Sequence, residues 1–329
     1  MRREGNLMYQ IILDASKRIW GVAHKTPVLT SNSLNEMVNS TVYLKCENFQ
    51  RVGAFKFRGA YNAIGKLVEG GKRKDLLTFS SGNHAQAVAL SGKMFNLKTT
   101  IVMPNDAPKS KLDATKSYGA EIITYNPKET SREELANNLM TKGDYELIPP
   151  FNHIDVVAGQ GTCVKEFLED YPCLDYLLVP CGGGGLLSGS AISSKNILPS
   201  CKVIGVEPKL ADDAYKSFQS GVLHKVHNPL TIADGVRTPS LGTINFEIIK
   251  NYVDNIITVS EEDIVKAMYF VWTRLKIVVE PTGALALSAL FSQEFDYFKH
   301  KKVGVVISGG NVDISSACEI FSKFIEDDF

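Results

Sequence analysis

The chain carries no surplus of either charge: 36 lysines and arginines stand against 36 aspartates and glutamates in 329 residues. A nucleic-acid or anionic-membrane surface draws on a basic excess, so neither partner is indicated. There is no C-x-x-C pair and no clustered histidine. The cysteines Cys46, Cys163, Cys173, Cys181, Cys201 and Cys318 fall at irregular spacings, which signals neither a zinc site nor a disulfide framework and predicts reduced thiols. No run is long and apolar enough to span a bilayer. Arg2-Arg3 is followed by Glu4 and Asp14, not by the apolar stretch of a targeting peptide. Repeats and low-complexity tracts are also missing. These absences leave a cytoplasmic globular protein whose partner is a small molecule. A composition of 44% hydrophobic and 22% charged residues is ordinary for a soluble chain, and the length predicts two lobes.

Hydrophobic patterning organises those lobes. Ile11 to Trp20 has helical spacing, and Thr41 to Cys46 alternates as a strand. From Lys74 strands and helices take turns: strands at Leu76–Ser80, Thr99–Met103 and Ile122–Tyr125, helices at Asn83–Lys93, Pro108–Tyr118 and Ser131–Met140. Ser131 with Glu134 reads as a capping box. After Pro149-Pro150 a second series follows, with strands at Tyr176–Val179, Val203–Val206, Ile256–Val259 and Val303–Ile307. The pattern predicts parallel α/β layers. A small lobe of residues 74–146 is inserted in a larger one of residues 1–73 and 147–329, with a ligand cleft between them.

Two segments carry chemistry. Lys56 sits in Gly53-Ala54-Phe55-Lys56-Phe57-Arg58-Gly59, and a lysine held between aromatic rings and glycines is a candidate imine-forming amine once burial lowers its pKa. Gly182, Gly183, Gly184 and Gly185 follow a strand and precede the helical stretch from Leu186 to Lys195, a placement that presents N–H groups to a phosphate. Gly183-x-Gly185-x-x-Ser188, with Glu207 closing the next strand, equally suits a dinucleotide. Ser80-Ser81-Gly82-Asn83-His84 also joins a strand to a helix, either to hold a carboxylate or simply to cap the helix. Glu207, Asp212 and Asp213 read either as a hard-cation site or as surface acids.

In order, GAFKFRGA, SSGNHAQA, AGQGT, CGGGGLLSG, TIADG, EPTGA and SGGN resemble the fold type II pyridoxal-phosphate enzymes, in their serine racemase and serine/threonine dehydratase branch, from Thr26 to Asp313. The resemblance implies an α/β, tryptophan-synthase-β-like fold with two open, twisted, mostly parallel sheets flanked by helices. It implies racemisation of serine with dehydration to pyruvate and ammonia, or, as the alternative, dehydration alone of L-threonine, L-serine or threo-3-hydroxyaspartate. Lys56 then corresponds to the Schiff-base lysine, Phe55 to the residue packed on the ring, and Asn83 to the partner of the 3-hydroxyl. Gly182, Gly183, Gly184, Gly185 and Leu186 correspond to the phosphate cradle, and Ser308 to the partner of the pyridine nitrogen. Ser81 corresponds to the second base of racemases, opposite Lys56. Ser80, Ser81, Asn83, His84 and Arg132 correspond to substrate contacts.

Glu207, Ala211 and Asp213 correspond to a site for Mg2+, or for Ca2+ or Mn2+. Ser31, Asn32, Gln86, Tyr118, Lys276 and Asn311 correspond to an ATP site at a homodimer interface, although Arg51-Val52 and Asn32-Ser33 depart from the pairs of vertebrate members.

Overall fold

A computed structural model describes residues 2–80, 82–105, 109–292 and 294–327. Ser81 and residues 106–108 lie outside that set, so neither the second-base assignment nor the start of the helix expected from Pro108 is described.

The chain opens with α1 (Arg2–Ile19), β1 (Val28–Leu29), α2 (Asn32–Val38), β2 (Thr41–Cys46) and α3 (Lys56–Glu69). α1 begins a full nine residues before the expected Ile11 and stops short of Trp20, because Gly21 takes a left-handed φ of 73° that no helix continues through. There follow β3 (Asp75–Phe79), α4 (Asn83–Met94), β4 (Thr99–Pro104), α5 (Lys109–Ser117), β5 (Glu121–Tyr125), α6 (Arg132–Lys142) and β6 (Tyr145–Leu147). Next come α7 (Ile154–Asp170), β7 (Tyr176–Pro180), α8 (Gly185–Ile197), β8 (Lys202–Pro208), α9 (Asp213–Ser220) and α10 (Thr243–Tyr252). The chain closes with β9 (Asn255–Val259), α11 (Glu261–Phe270), α12 (Pro281–Ser288), β10 (Lys302–Ile307) and α13 (Ile314–Asp327).

Two sheets result. One runs β1-β2-β10-β7-β8-β9 and is parallel except for β1 against β2. The other is the parallel sheet β5-β4-β3-β6. Strands buried on both faces read as continuous apolar runs, as Leu177-Leu178-Val179 and Val305-Val306-Ile307 do. In the smaller sheet Ile101 and Met103 pack against α4, while Val102 between them faces Ala136 of α6, so the pleat feeds two separate cores. The capping box at α6 forms only by half. Ser131 accepts from the Glu134 N–H at 3.1 Å, but the Glu134 carboxylate takes the Thr130 hydroxyl at 3.0 Å instead of the cap N–H.

Candidate functional site

The larger sheet brings distant loops together by register alone. β10 lies between β2 and β7, with Ile307 opposite Cys46 and Val305 opposite Leu178. The turns leaving all three strands therefore emerge at one carboxyl edge, where ligands of open α/β sheets bind. Ala54 bridges Gly309, and the Phe55 N–H donates to the Ser308 carbonyl at 3.1 Å. The turn bearing Lys56 is thus stitched to the end of β10.

Lys56 opens α3, and a buried ionic network just inside that helix holds it. Arg58 Nε and Nη2 donate to Glu47 at 2.7 and 2.8 Å, and Nη1 and Nη2 donate to Glu166 at 2.8 and 2.9 Å. Lys45 Nζ completes the cluster on Glu166 and the Thr26 carbonyl.

The Lys56 ammonium donates to the Pro150 carbonyl at 2.9 Å and sits 5.0 Å from the Phe55 ring centre. The residue keeps some accessible surface, but that surface faces a cavity, and the amine itself is desolvated. Burial lowers its pKa from 10.5 to about 8, against the opposing pull of Glu280. Between those two values the unfolded chain holds a proton that the folded chain has released, so stability of the cofactor-free protein rises with pH across that window. Pyridoxal phosphate capture should accelerate with pH and level off just above 8, followed as growth of Schiff-base absorbance. A rate still climbing toward 10 would mean an unperturbed amine.

The tetraglycine turn forms another wall. Gly184 adopts a left-handed φ of 86° at the N-cap of α8, and a Cβ on Gly183 would lie 2.3 Å from the Phe151 ring. Only glycine meets both demands. The Gly183 carbonyl accepts from the Gly242 N–H at 3.1 Å and from Asn245 Nδ2 at 2.6 Å. Because a trans peptide sets N–H opposite C=O, the Gly184 N–H points the other way. With the first turn of α8 it makes an anion cradle. The dinucleotide alternative fails at Glu207, whose oxygens accept from the Ala214 and Tyr215 N–H groups at 3.1 and 2.9 Å and are not offered to a ribose.

Across the cavity, Asn83 Nδ2 donates to Glu280 at 2.7 Å, and Asn83 Oδ1 accepts from Asn311 at 2.8 Å. Ser308 is buried and donates to the Thr282 carbonyl at 3.2 Å, leaving a neutral oxygen on the wall. The N-cap of α4 is Gly82, which has no side chain, so no side-chain cap meets the first N–H groups of that helix. Ser80 supports that turn by accepting from the Gly82 N–H at 3.3 Å. His84 is 2% exposed and its pKa falls to about 3, through burial first and Lys56 second. Its single proton is on Nε2, which donates to the Ile148 carbonyl at 2.9 Å. Nδ1 is a buried acceptor with no partner among the described residues. The imidazole therefore offers a substrate no cation, and His84 can meet a carboxylate only through its backbone N–H. Arg132, the first residue of α6, stacks 5.6 Å from the Phe79 ring centre and lines the same cavity.

A buried amine, a glycine turn at a helix N-terminus, a flat aromatic neighbour and the orphaned His84 acceptor together fit pyridoxal phosphate. Lys56, Gly182–185 and Ser308 are the residues that would hold it.

The acidic motif is not a surface feature. Glu207 and Asp213 are each 1% exposed, and neither carboxylate oxygen of Asp213 has a hydrogen-bond partner among the described residues. Burial raises the Asp213 carboxyl to about 7, and burial with the neighbouring Asp213 pushes Glu207 well above its ordinary value. Asp212 alone behaves as a surface acid, pairing with Lys216 at 2.9 Å. Among the described residues no three His, Cys, Asp or Glu side chains gather at one point, so a cation here needs backbone oxygen such as that of Ala211. Orphaned buried carboxylate oxygens fit a hard cation.

The residues matched to a nucleotide site are each held locally. Ser31 caps α2, with Asn32 as its first helical residue. Gln86 is buried on α4, and Tyr118 packs beside that helix. Lys276 donates to the Thr273 carbonyl, and Asn311 donates to the Val52 carbonyl as well as to Asn83.

Sequence reasoning assigned no role to Glu280, Phe151, Arg58 or the loop of residues 231–238. Glu280 and Arg58 were visible inside EPTGA and GAFKFRGA, while Phe151 has no motif to mark it.

The family model for pyridoxal-phosphate dependent enzymes matches residues 19–309. The chain is 50% identical over 315 residues to the L-threo-3-hydroxyaspartate ammonia-lyase of Saccharomyces cerevisiae, covering 95% of this chain and 96% of that one. It is 47% identical over 315 residues to the serine racemase of Schizosaccharomyces pombe, covering 96% and 97% respectively. The crystal structure of serine racemase from Dictyostelium discoideum superposes with a TM-score of 0.87 at 45% identity, covering 93% of this chain and 99% of that one. With a buried lysine and a glycine turn lining one cavity and a family match across most of its length, the chain belongs to the pyridoxal-phosphate dependent enzymes.

Proposed function

We propose that the chain interconverts L-serine and D-serine and also dehydrates serine to pyruvate and ammonia. The observation that carries this reading is the desolvated Lys56 amine, set in one cavity with the glycine cradle, the open N-terminus of α4 and a neutral Ser308. Pyridoxal phosphate, once bound, acidifies the Cα–H bond of the amino acid. Lys56 takes that proton on one face. Ser81 supplies a proton from the other face, which racemisation requires and elimination does not. A hydroxyl at Ser308 cannot retain a proton on a pyridine nitrogen as a carboxylate would, which restrains transamination. The α4 N–H groups, Ser80 and Arg132 orient the substrate carboxylate. The segment of residues 74–146 acts as a small lobe that closes over it and excludes water.

Around this centre, Glu207, Asp213 and the Ala211 carbonyl hold Mg2+, with Ca2+ or Mn2+ as substitutes. ATP binds at a homodimer interface through Ser31, Asn32, Gln86, Tyr118, Lys276 and Asn311 as an activator. The enzyme works in the cytoplasm. A second reading, dehydration of threo-3-hydroxyaspartate without racemisation, is favoured by the name of the Saccharomyces relative at 50% identity.

The deciding assay supplies L-serine, pyridoxal phosphate and Mg2+, with and without ATP, and quantifies D-serine and pyruvate together. Both products should form, and Ser81→Ala should lose about 10- to 100-fold more racemisation than L-serine elimination. Pyruvate without D-serine would make the chain a dehydratase, and equal loss of both reactions in the variant would remove Ser81 from the second face.

A further inference from the structure

The loop of residues 231–237 walls two cavities. On its inner side Asp234, Gly235, Val236 and Arg237 line the cavity of Lys56. On its outer side Ile232 lines a separate cavity of about 610 Å³ between α11 and α13, a volume that suits a small organic ligand. α13 contributes Glu319, Ile320, Lys323 and Phe324 from one helical face, and α11 contributes Glu261 and Val265, one turn apart. A further turn along α11, Tyr269 packs on Phe321 and Phe324 with ring centres 5.5 and 5.6 Å away. The two helices are therefore held together by packing that a ligand need not supply.

Charge in this cavity is uneven. Glu262 pairs with Lys266 at 2.5 Å and Glu319 with Lys323 at 2.8 Å. Glu261 pairs with no cation among the described residues. Its Oε2 accepts from the Ile232 N–H at 2.7 Å and from the Thr231 hydroxyl at 3.1 Å, while its Oε1 is buried with no partner among the described residues. An anionic oxygen withdrawn from water and left unpaired is costly, and a cationic donor is what best satisfies it. Apolar walls beside one uncompensated carboxylate select an ammonium carried on a hydrophobic body. An anion is repelled, and a neutral alcohol gains less.

We propose that this cavity is a regulatory site for an amphipathic amine. The ammonium pairs with Glu261, and the apolar body lies on Val265, Ile320 and Phe324. Turning the carboxylate toward the ligand draws Oε2 away from the Ile232 N–H and the Thr231 hydroxyl. The same Thr231 holds Arg237, whose Nε and Nη2 donate to its carbonyl at 2.8 and 2.5 Å, and the Gly235 N–H donates to Thr282 at 2.9 Å. Loosening residues 231 and 232 thus reaches the wall of the Lys56 cavity, so occupation of the outer site weakens amino-acid binding at the inner one. Linkage makes the effect reciprocal.

The test uses the holoenzyme and dimethylphenethylamine, a tertiary amine that cannot form an imine with the cofactor, with phenylacetate and phenethyl alcohol as charge controls. Binding is measured calorimetrically in wild type, Glu261→Gln and Val265→Trp. Glycine, which has no β-substituent to lose, is titrated through the cofactor's absorbance with and without the amine. The amine should bind more tightly than either control, about 10- to 100-fold more weakly in Glu261→Gln, and not at all in Val265→Trp, whose indole fills the cavity. Saturating amine should raise the glycine dissociation constant about 5- to 10-fold, and saturating glycine should raise that of the amine by the same factor. Amine binding unchanged in Glu261→Gln, or an alcohol that binds as tightly as the amine, overturns the site and its ligand class. Binding as expected with unaltered glycine affinity overturns the regulatory role. Glu261→Gln conserves side-chain volume, so its result decides the matter even where the tryptophan variant fails to fold.

Discussion

Replacing Lys56 by alanine should reduce racemisation and elimination by about 10^4-fold or more, with loss of the Schiff-base absorbance, while the folded protein survives. Lys56 is the one primary amine lining the cavity among the described residues, so no neighbour stands ready to replace it. The other basic side chains on that wall, Arg132 and Arg237, carry guanidinium groups and no primary amine. The protein should tolerate the change because the wild-type amine is itself desolvated at a cost, shown by its fall to about 8, and its removal leaves only the Pro150 carbonyl without that donor. Lys56→Arg should be as inactive as Lys56→Ala. Turnover in either variant within tenfold of wild type would mean that another group accepts the Cα proton.

The largest loss of stability is expected from Arg58→Met, about 3–5 kcal/mol in denaturant unfolding. Arg58 and Glu47 are both fully buried, and Lys45 beside them is also without exposure. Burial by itself raises the Glu47 carboxyl; Arg58, Lys45 and the Thr26 hydroxyl reverse this and hold it below its ordinary 4.5. Its stabilisation is complete above that pH and fades as pH falls through the depressed native value. A methionine at position 58 leaves Glu47 with Lys45 and Thr26 alone, and the carboxylate must then protonate or admit water. Because Arg58 lies two residues from Lys56 on the same helix, the variant should also release pyridoxal phosphate more readily. A double change with Glu47→Leu should recover much of the loss, since an apolar pair has no orphaned charge. A cost below 1 kcal/mol would show that solvent already reaches the cluster.

The sheet architecture was legible because its strands are apolar runs bounded by turns: Thr41–Cys46 reads the same in sequence and structure, and the strand at Tyr176 differs only by Pro180. β1 and β6, of two and three residues, are too short to show a period. Lys56 and the tetraglycine were legible as chemistry because aromatic and glycine neighbours have few other uses. Glu207 and Asp213 were less so, since burial of a carboxylate depends on what packs over it, and the residues by themselves read as surface acids as readily as a cation site. Glu280, though visible inside EPTGA, was given no role for a similar reason. Its 3% exposure and its bond to Asn83 come from parts of the chain 197 residues apart.

The position of β10 between β2 and β7 also sets a timetable for biogenesis. β2 pairs with β10 from Thr41 opposite Lys302 to Cys46 opposite Ile307. The strand that carries the Lys56 turn therefore waits for a neighbour made only when Lys302 to Ile307 emerge, a delay on the order of tens of seconds at ordinary ribosome speeds. During that interval an apolar edge is exposed and no cofactor pocket exists. The smaller sheet, whose strands all fall between Asp75 and Leu147, has every partner it needs long before. The nascent chain is thus expected to complete its four-stranded sheet first, and the pocket around Lys56 is not assembled until β10 has been made.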